Sequence, residues 1–266
     1  ILEADRQSIS RLGYGNAVAQ AYNHTILPLD HPEDARIQIR WGLQDFSERY
    51  QRSSEGIWLP ECAVSNSVVD MLIDEGLKFI ILSPWQAESH RLPDEEFIPF
   101  GESPAPSDRS YYVERPGGRI AVFFYNPELA SQISFSHLLR SREGFEKTIR
   151  EALRNSENPM VSIATDGEIY GHHEPFGDMC LSSFIDHMGP DSDIQFTNYA
   201  AYLSANPPAE EVKLCEGDDG KGSSWSCSHG VGRWMRDCGC STGGEERWNQ
   251  KWRTSSPGRG STWSWT

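Results

Sequence analysis

Five short apolar runs, each of strand length and each separated from the next by a segment with helical period, constrain this 266-residue chain more than any other feature. The runs are Gly56 to Pro60, Lys78 to Ser83, Arg119 to Tyr125, Met160 to Thr165 and Ile194 to Thr197. Val, Ile and Phe crowd them with little polar alternation, the pattern of strands covered on both faces. The segments Ala35 to Tyr50, Ser65 to Glu75, Ser136 to Asn155 and Phe176 to Met188 read as helices. Val68, Val69, Leu72 and Ile73 fall on one face of the second, and Leu138, Leu139, Phe145, Ile149 and Leu153 on one face of the third. Strand, helix, strand repeats predict an α/β fold with a parallel sheet, and such crossovers gather functional loops at the carboxyl ends of the strands.

The residues just past each run are therefore informative. Glu61 comes after the first, Pro84-Trp85-Gln86 after the second, Tyr125-Asn126 after the third and Asp166 after the fourth. A single acid at a strand end is commonplace as a helix cap. Two acids on separate strands are the arrangement that acetal cleavage needs: one carboxylate attacks the anomeric carbon and a second, protonated group gives its proton to the departing oxygen. Glu168, His172 and His173 surround Asp166 in sequence and supply a polar setting for proton handling, and the adjacent His172 and His173 are expected to diverge on a loop. Trp58 and Trp85 flank strand ends, where an indole can stack on a sugar face; core packing is the competing reading.

A formal net charge of −15 opposes phosphate backbones and anionic lipid, so neither a nucleic acid nor a membrane is an expected partner. No apolar segment approaches the roughly 20 residues of a spanning helix, and a cytoplasmic home is the default expectation. Residues 1–206 read as one domain with a loop excursion over 88–118, rich in prolines and acids. After Ala205, Asn206-Pro207-Pro208 opens a second region, 207–266, rich in Gly, Ser, Cys and Trp, with a tail from Thr254 expected to be irregular.

Cys227, His229, Cys238 and Cys240 suggest zinc by residue type, but each half has a single intervening residue where two to four are usual. Buried free thiols are the favoured reading, a redox or disulfide role remains open, and neither a metal nor any other cofactor is expected.

The motifs together resemble glycoside hydrolase family 57. GIWLPECAV, residues 56–64, is similar to that family's nucleophile motif and DGEIYGHH, residues 166–173, to its acid/base motif; GNAVAQAYNHTILPL, residues 15–29, resembles the segment bearing an active-site histidine, and SSWSCSHG, residues 223–230, a late motif that sets an aromatic near the sugar. The resemblance implies an incomplete (β/α)7 barrel acting on α-glucans as a retaining hydrolase or transferase, with Glu61 as nucleophile, Asp166 as acid/base, and His24, Trp58, Trp85, Glu168, His172, His173 and Trp225 lining the substrate site. Nothing before Gly15 matches the His-x-Pro or His-x-His first strand of that family, and the helical region expected near Trp248 is replaced by the tail, so the chain reads as a fragment. Two other readings stand beside this one: a metal-dependent carbohydrate deacetylase using His24, Asp166 and His172 or His173, and a glucan-binding protein without turnover. The oligomeric state is left open.

Overall fold

Phe79–Leu82 and Gly118–Phe124 form the two central strands, and their side chains alternate between two apolar layers in a computed structural model that describes residues 1–154, 160–189, 192–240 and 248–253. Ile80, Leu82, Ile120, Val122 and Phe124 face the main core, where Val68, Val69 and Leu72 meet them. Phe79, Ile81, Ala121 and Phe123 face the other side against Tyr199 and Ala200. Burial on both faces explains why these runs carry almost no polar residues.

In chain order the strands are β1 (Ala19–Gln20), β2 (Gly56–Trp58), β3 (Phe79–Leu82), β4 (Ala87–Arg91), β5 (Ile98–Pro99), β6 (Ser110–Arg115), β7 (Gly118–Phe124) and β8 (Glu211–Leu214). They form one open sheet in the order β1-β2-β3-β7-β6-β8-β4-β5. The first four are mutually parallel, with Ile57 opposite Ile80 and Ile80 opposite Val122. The others add antiparallel pairs, β6 on β7 and β4 on both β5 and β8. A mixed α/β fold with a parallel-rich, open sheet is the expected incomplete barrel architecture. The described helices are α1 (Leu2–Leu12), α2 (Pro32–Tyr50), α3 (Asn66–Asp74), α4 (Pro127–Phe135), α5 (Arg142–Arg154), α6 (Gly177–His187), α7 (Tyr199–Ala205) and α8 (Gly232–Met235). Proline at the first turn starts α2, and the Ser65 hydroxyl accepts from the Val68 amide to start α3.

Several expectations are corrected. Met160 to Thr165 lies outside every ladder, although Val161 and Ile163 pack against the α4–α6 cluster and Met160 and Ala164 against the sheet. The reason is that β7 already has β3 on one edge and β6 on the other; the segment is tied to the chain beyond β7 through a bond from the Asn126 amide to the Ser162 carbonyl, 2.7 Å. Ile194 to Thr197 is likewise no strand.

The helix expected over Ser136 to Asn155 starts later: His137 takes φ 56°, Leu138–Arg140 form a short 3₁₀ turn, and α5 begins at Arg142, where Ser141 accepts from the Gly144 amide at 3.1 Å. Asn155 falls outside the described residues. The preceding α4 went unanticipated although Asn126 caps it, accepting from the Leu129 amide at 2.9 Å ahead of Pro127.

Residues 88–118, expected as a loop, contain most of β4 and all of β5 and β6. Past the expected boundary at 206, β8 pairs with β4 and β6 in the same sheet. The tail expected to be irregular, 254–266, lies outside the described residues.

Candidate active site

The carboxyl ends of β2, β3 and β7 share one edge of the sheet because the strands are parallel. The chain leaves β2 through Leu59 and Pro60, and Glu61 then takes φ 58°, ψ 20°, succeeded by Cys62 at φ 49°. Two successive non-glycine residues in the left-handed region cost on the order of 1–3 kcal/mol each and persist only where surrounding contacts over-determine them.

Those contacts come from the far end of the chain. Trp225 Nε1 donates to Glu61 Oε2 at 2.9 Å and Ser226 Oγ to the same oxygen at 2.8 Å. The Trp225 amide also donates to the Glu61 carbonyl at 3.1 Å. Among the described residues no donor reaches Oε1. The loop that delivers Trp225 is itself bonded to the strand-end segment through reciprocal amide–carbonyl bonds between Val64 and Ser223, both 2.9 Å.

At Gly222, φ is 114° and a side chain would meet the Val64 carbonyl oxygen at 2.3 Å, so this approach requires glycine. Beneath the loop the buried Gln86 accepts from the Ser83 amide at 3.0 Å and donates to the Cys62 carbonyl at 2.8 Å and to Ser223 Oγ at 3.2 Å. One side chain thereby joins the ends of β2 and β3 to the late loop.

Trp225 stands edge-on to Trp58, ring centres 5.3 Å apart, and to Tyr125 at 6.0 Å. Trp58 and Trp225 are both half-buried and pack on the main core. Asp166 is exposed and precedes a short 3₁₀ turn, Gly167–Ile169, in the cap position, yet its carboxylate makes no capping bond. Burial pushes the Cys62 thiol well above its ordinary pKa, and the negative charges of Glu61 and then Asp166 push it further. Both acids thus act electrostatically on one buried sulfur.

The other expected residues occupy the histidine loop and the outer rim. The His172 and His173 rings meet edge-on at 4.8 Å instead of diverging, because both amides donate to the Glu168 carbonyl and curl the loop. Both rings and Glu168 are exposed. His24 is exposed with φ 43°, and Trp85 is 59% exposed. Among the described residues no hydrogen bond, ion pair or ring contact joins His24 or Trp85 to Glu61 or Asp166. Sequence reasoning missed Ser226 and Gln86, and also Glu174, which is buried beyond the paired histidines and bonded to Arg140 at 2.7 Å and to His137. Arg140 and then His137 hold its carboxyl below the usual range.

Among the described residues, one group of His, Cys, Asp or Glu side chains converges closely enough to hold a cation: Cys227, His229, Cys238 and Cys240. His24, Asp166, His172 and His173, the deacetylase ligand set, do not form such a group.

The site thus combines a parallel-rich α/β sheet with one carboxylate, Glu61, clamped at its carboxyl edge, and an exposed second acid, Asp166, on a segment outside the sheet. The family model for glycosyl hydrolase family 57 matches residues 2–213, and the chain belongs to that family. It is similar to a 4-alpha-glucanotransferase of Thermococcus litoralis, 24% identical over 83% of this chain and 32% of that protein, and to an alpha-amylase of Pyrococcus horikoshii, 25% identical over 83% and 33%. The chain therefore spans about a third of the length of these curated relatives.

Among solved structures it resembles a family 57 branching enzyme of Thermococcus kodakaraensis, with a TM-score of 0.66, 17% identity, and coverage of 86% of this chain and 53% of that one. A putative polysaccharide deacetylase of Mycobacterium smegmatis shares the fold at a TM-score of 0.52 and 14% identity, covering 76% and 68%. Fold likeness at that level leaves the chemistry to the site.

Proposed function

We propose that this chain carries the catalytic acids of a retaining α-glycoside hydrolase or glucanotransferase acting on α-glucans. The observation that supports this most is the clamp on Glu61, in which two donors meet one carboxylate oxygen at a strained strand end. A nucleophile needs such fixation, because attack on the anomeric carbon requires one oxygen aimed at it.

With Oε2 held by Trp225 and Ser226, Oε1 attacks. The C–O bond to the leaving sugar breaks as Asp166 delivers its proton to the departing oxygen, and a covalent glycosyl ester forms on Glu61. Asp166, now ionised, takes a proton from water or from a sugar hydroxyl, whose oxygen attacks the anomeric carbon and breaks its bond to the Glu61 carboxylate, giving net retention. Retention places the two carboxyls roughly 5 to 5.5 Å apart in the complex.

Trp58 and Trp225 supply aromatic faces for the sugar. Trp85, Glu168, His172, His173 and His24 line the outer rim, where exposed polar and aromatic groups suit a polymer that extends from the reacting bond. Six free cysteines suit a reducing compartment, and the cytoplasm is the proposed location.

The test uses the intact protein with soluble α-glucan. Glu61→Gln and Asp166→Asn are each expected to remove at least about 10³-fold of turnover while leaving the melting temperature in place, and proton NMR is expected to show the α-anomer as first product. Binding of glucan with no turnover by the wild type, or loss of turnover on chelation with Glu61→Gln still active, would overturn the proposal in favour of a binding protein or a metal hydrolase.

A further inference from the structure

Immediately after the clamp residues, the chain passes through Cys227 and His229, turns into α8 and returns through Cys238 and Cys240. The three sulfurs and one ring nitrogen of these residues all lie within 4.8 Å of one another. Cys227 Sγ is 3.9 Å from Cys238 Sγ and 3.8 Å from Cys240 Sγ, and Cys240 Sγ is 3.3 Å from His229 Nδ1. A disulfide needs about 2.05 Å between sulfurs, well short of these separations. Tetrahedral zinc, with bonds of about 2.3 Å to sulfur and about 2.0 Å to nitrogen, sets sulfurs about 3.8 Å apart and sulfur to nitrogen about 3.5 Å apart.

We propose that Cys227, His229, Cys238 and Cys240 hold a structural zinc ion. Three thiolates and one imidazole complete the tetrahedron, so no position remains open for water or substrate and the ion serves the fold rather than the reaction.

The spacing that argues against zinc in the sequence is resolved by local geometry. Gly239, at φ 82°, reverses the chain so that Cys238 and Cys240 face the same point, and His229 reaches it through the ring rather than the backbone.

The ion would brace the segment that bears the clamp. Ser224 Oγ donates to the Gly230 carbonyl at 2.8 Å, and Ser224 pairs with Cys227 across the same turn. Trp225 and Ser226, the two donors to Glu61, lie inside that closed turn. Zinc is thus a positioning element for the strand-end acid, at one remove from the sugar.

The experiment is metal analysis of the intact protein purified without chelators from zinc-containing medium, with Co(II) exchange as a second readout. The expected result is one zinc per chain, thiolate-to-cobalt charge-transfer absorption in the near ultraviolet, and zinc reduced at least about fivefold in Cys227→Ser and Cys240→Ser but unchanged in Cys180→Ser and Cys215→Ser. The wild-type measurement stands alone if the first two variants fail to fold. Wild-type protein with less than about a tenth of an equivalent of zinc, whether its six thiols titrate freely or mass spectrometry finds a disulfide in this cluster, overturns the proposal. So does full zinc in the Cys227 and Cys240 variants, or equal loss in the two controls.

Discussion

Glu61 owes its position to residues more than 160 positions away, since Trp225 and Ser226 both point at Oε2. Replacing Trp225 with Phe keeps the ring against Trp58 and Tyr125 but deletes the N–H. A hydrogen bond to a charged group contributes about 1.5–3 kcal/mol, so Trp225→Phe is expected to lower kcat roughly 10- to 100-fold. The check is steady-state kinetics on α-glucan alongside thermal unfolding, with Ser226→Ala giving a smaller loss of the same kind. The position of Glu61 is legible in the sequence, because an apolar strand ending at a carboxylate is a local pattern, whereas the apolar run before Asp166 forms no strand. Ser226 and Gln86 are not legible, because their partners arrive only when distant loops meet. The Gln86–Ser223 bond spans 137 positions, and no periodicity encodes it.

Helix α1 shows where patterning fails at the level of secondary structure. Its buried residues are Asp5 and Ser8, while Ile1, Leu2 and Ile9 are exposed, so its sequence carries no inward apolar stripe. It is anchored instead by an ion pair: Arg52 reaches both Asp5 oxygens at 2.9 Å and also donates to the Ala17 carbonyl at 2.8 Å, while Asp5 accepts from the Ala17 amide at 2.8 Å. Removing one partner strands a buried charge. Arg52→Met is expected to cost about 3 kcal/mol, read as a lower urea midpoint, and to raise hydrogen exchange in α1 before that in β3 or β7. The break between α4 and α5 has a similar origin. Ser136, His137 and Ser141 leave the apolar positions of a helix intact, but their turn and capping chemistry decides that the segment folds back, which buries Leu139 between two shorter helices.

Across the whole chain, acidity and paired arginines set the response to pH. Arg52 holds the Asp5 carboxyl below its ordinary range, Arg115 that of Asp70, Arg140 and then His137 that of Glu174, and Arg150 that of Asp193. A carboxyl whose folded pKa is depressed contributes stability that is full above its unfolded value and is lost as pH falls through the folded one. Stability should therefore be level above about pH 5 and decline steadily below about pH 4, the ordinary carboxylate range. Urea midpoints measured from pH 7 to pH 3 check this, and Arg52→Met should flatten the decline. Among the described residues no helix is long and apolar enough to cross a membrane.

Local chemistry in the sequence determined the β2, β3 and β7 strands, the amphipathic face of α3 and the place of Glu61 just past β2, because each depends on side chains adjacent along the chain or repeating with a short period. Only the tertiary structure decided that β6 occupies the free edge of β7 and displaces the segment before Asp166 from the sheet. It alone decided that β8 joins β4 and β6, that Trp225 clamps Glu61, and that one-residue spacings can close on a single point. Those outcomes depend on which strand edges remain unpaired and on which backbone angles glycine permits, and both are settled only when separated parts of the chain compete for the same space.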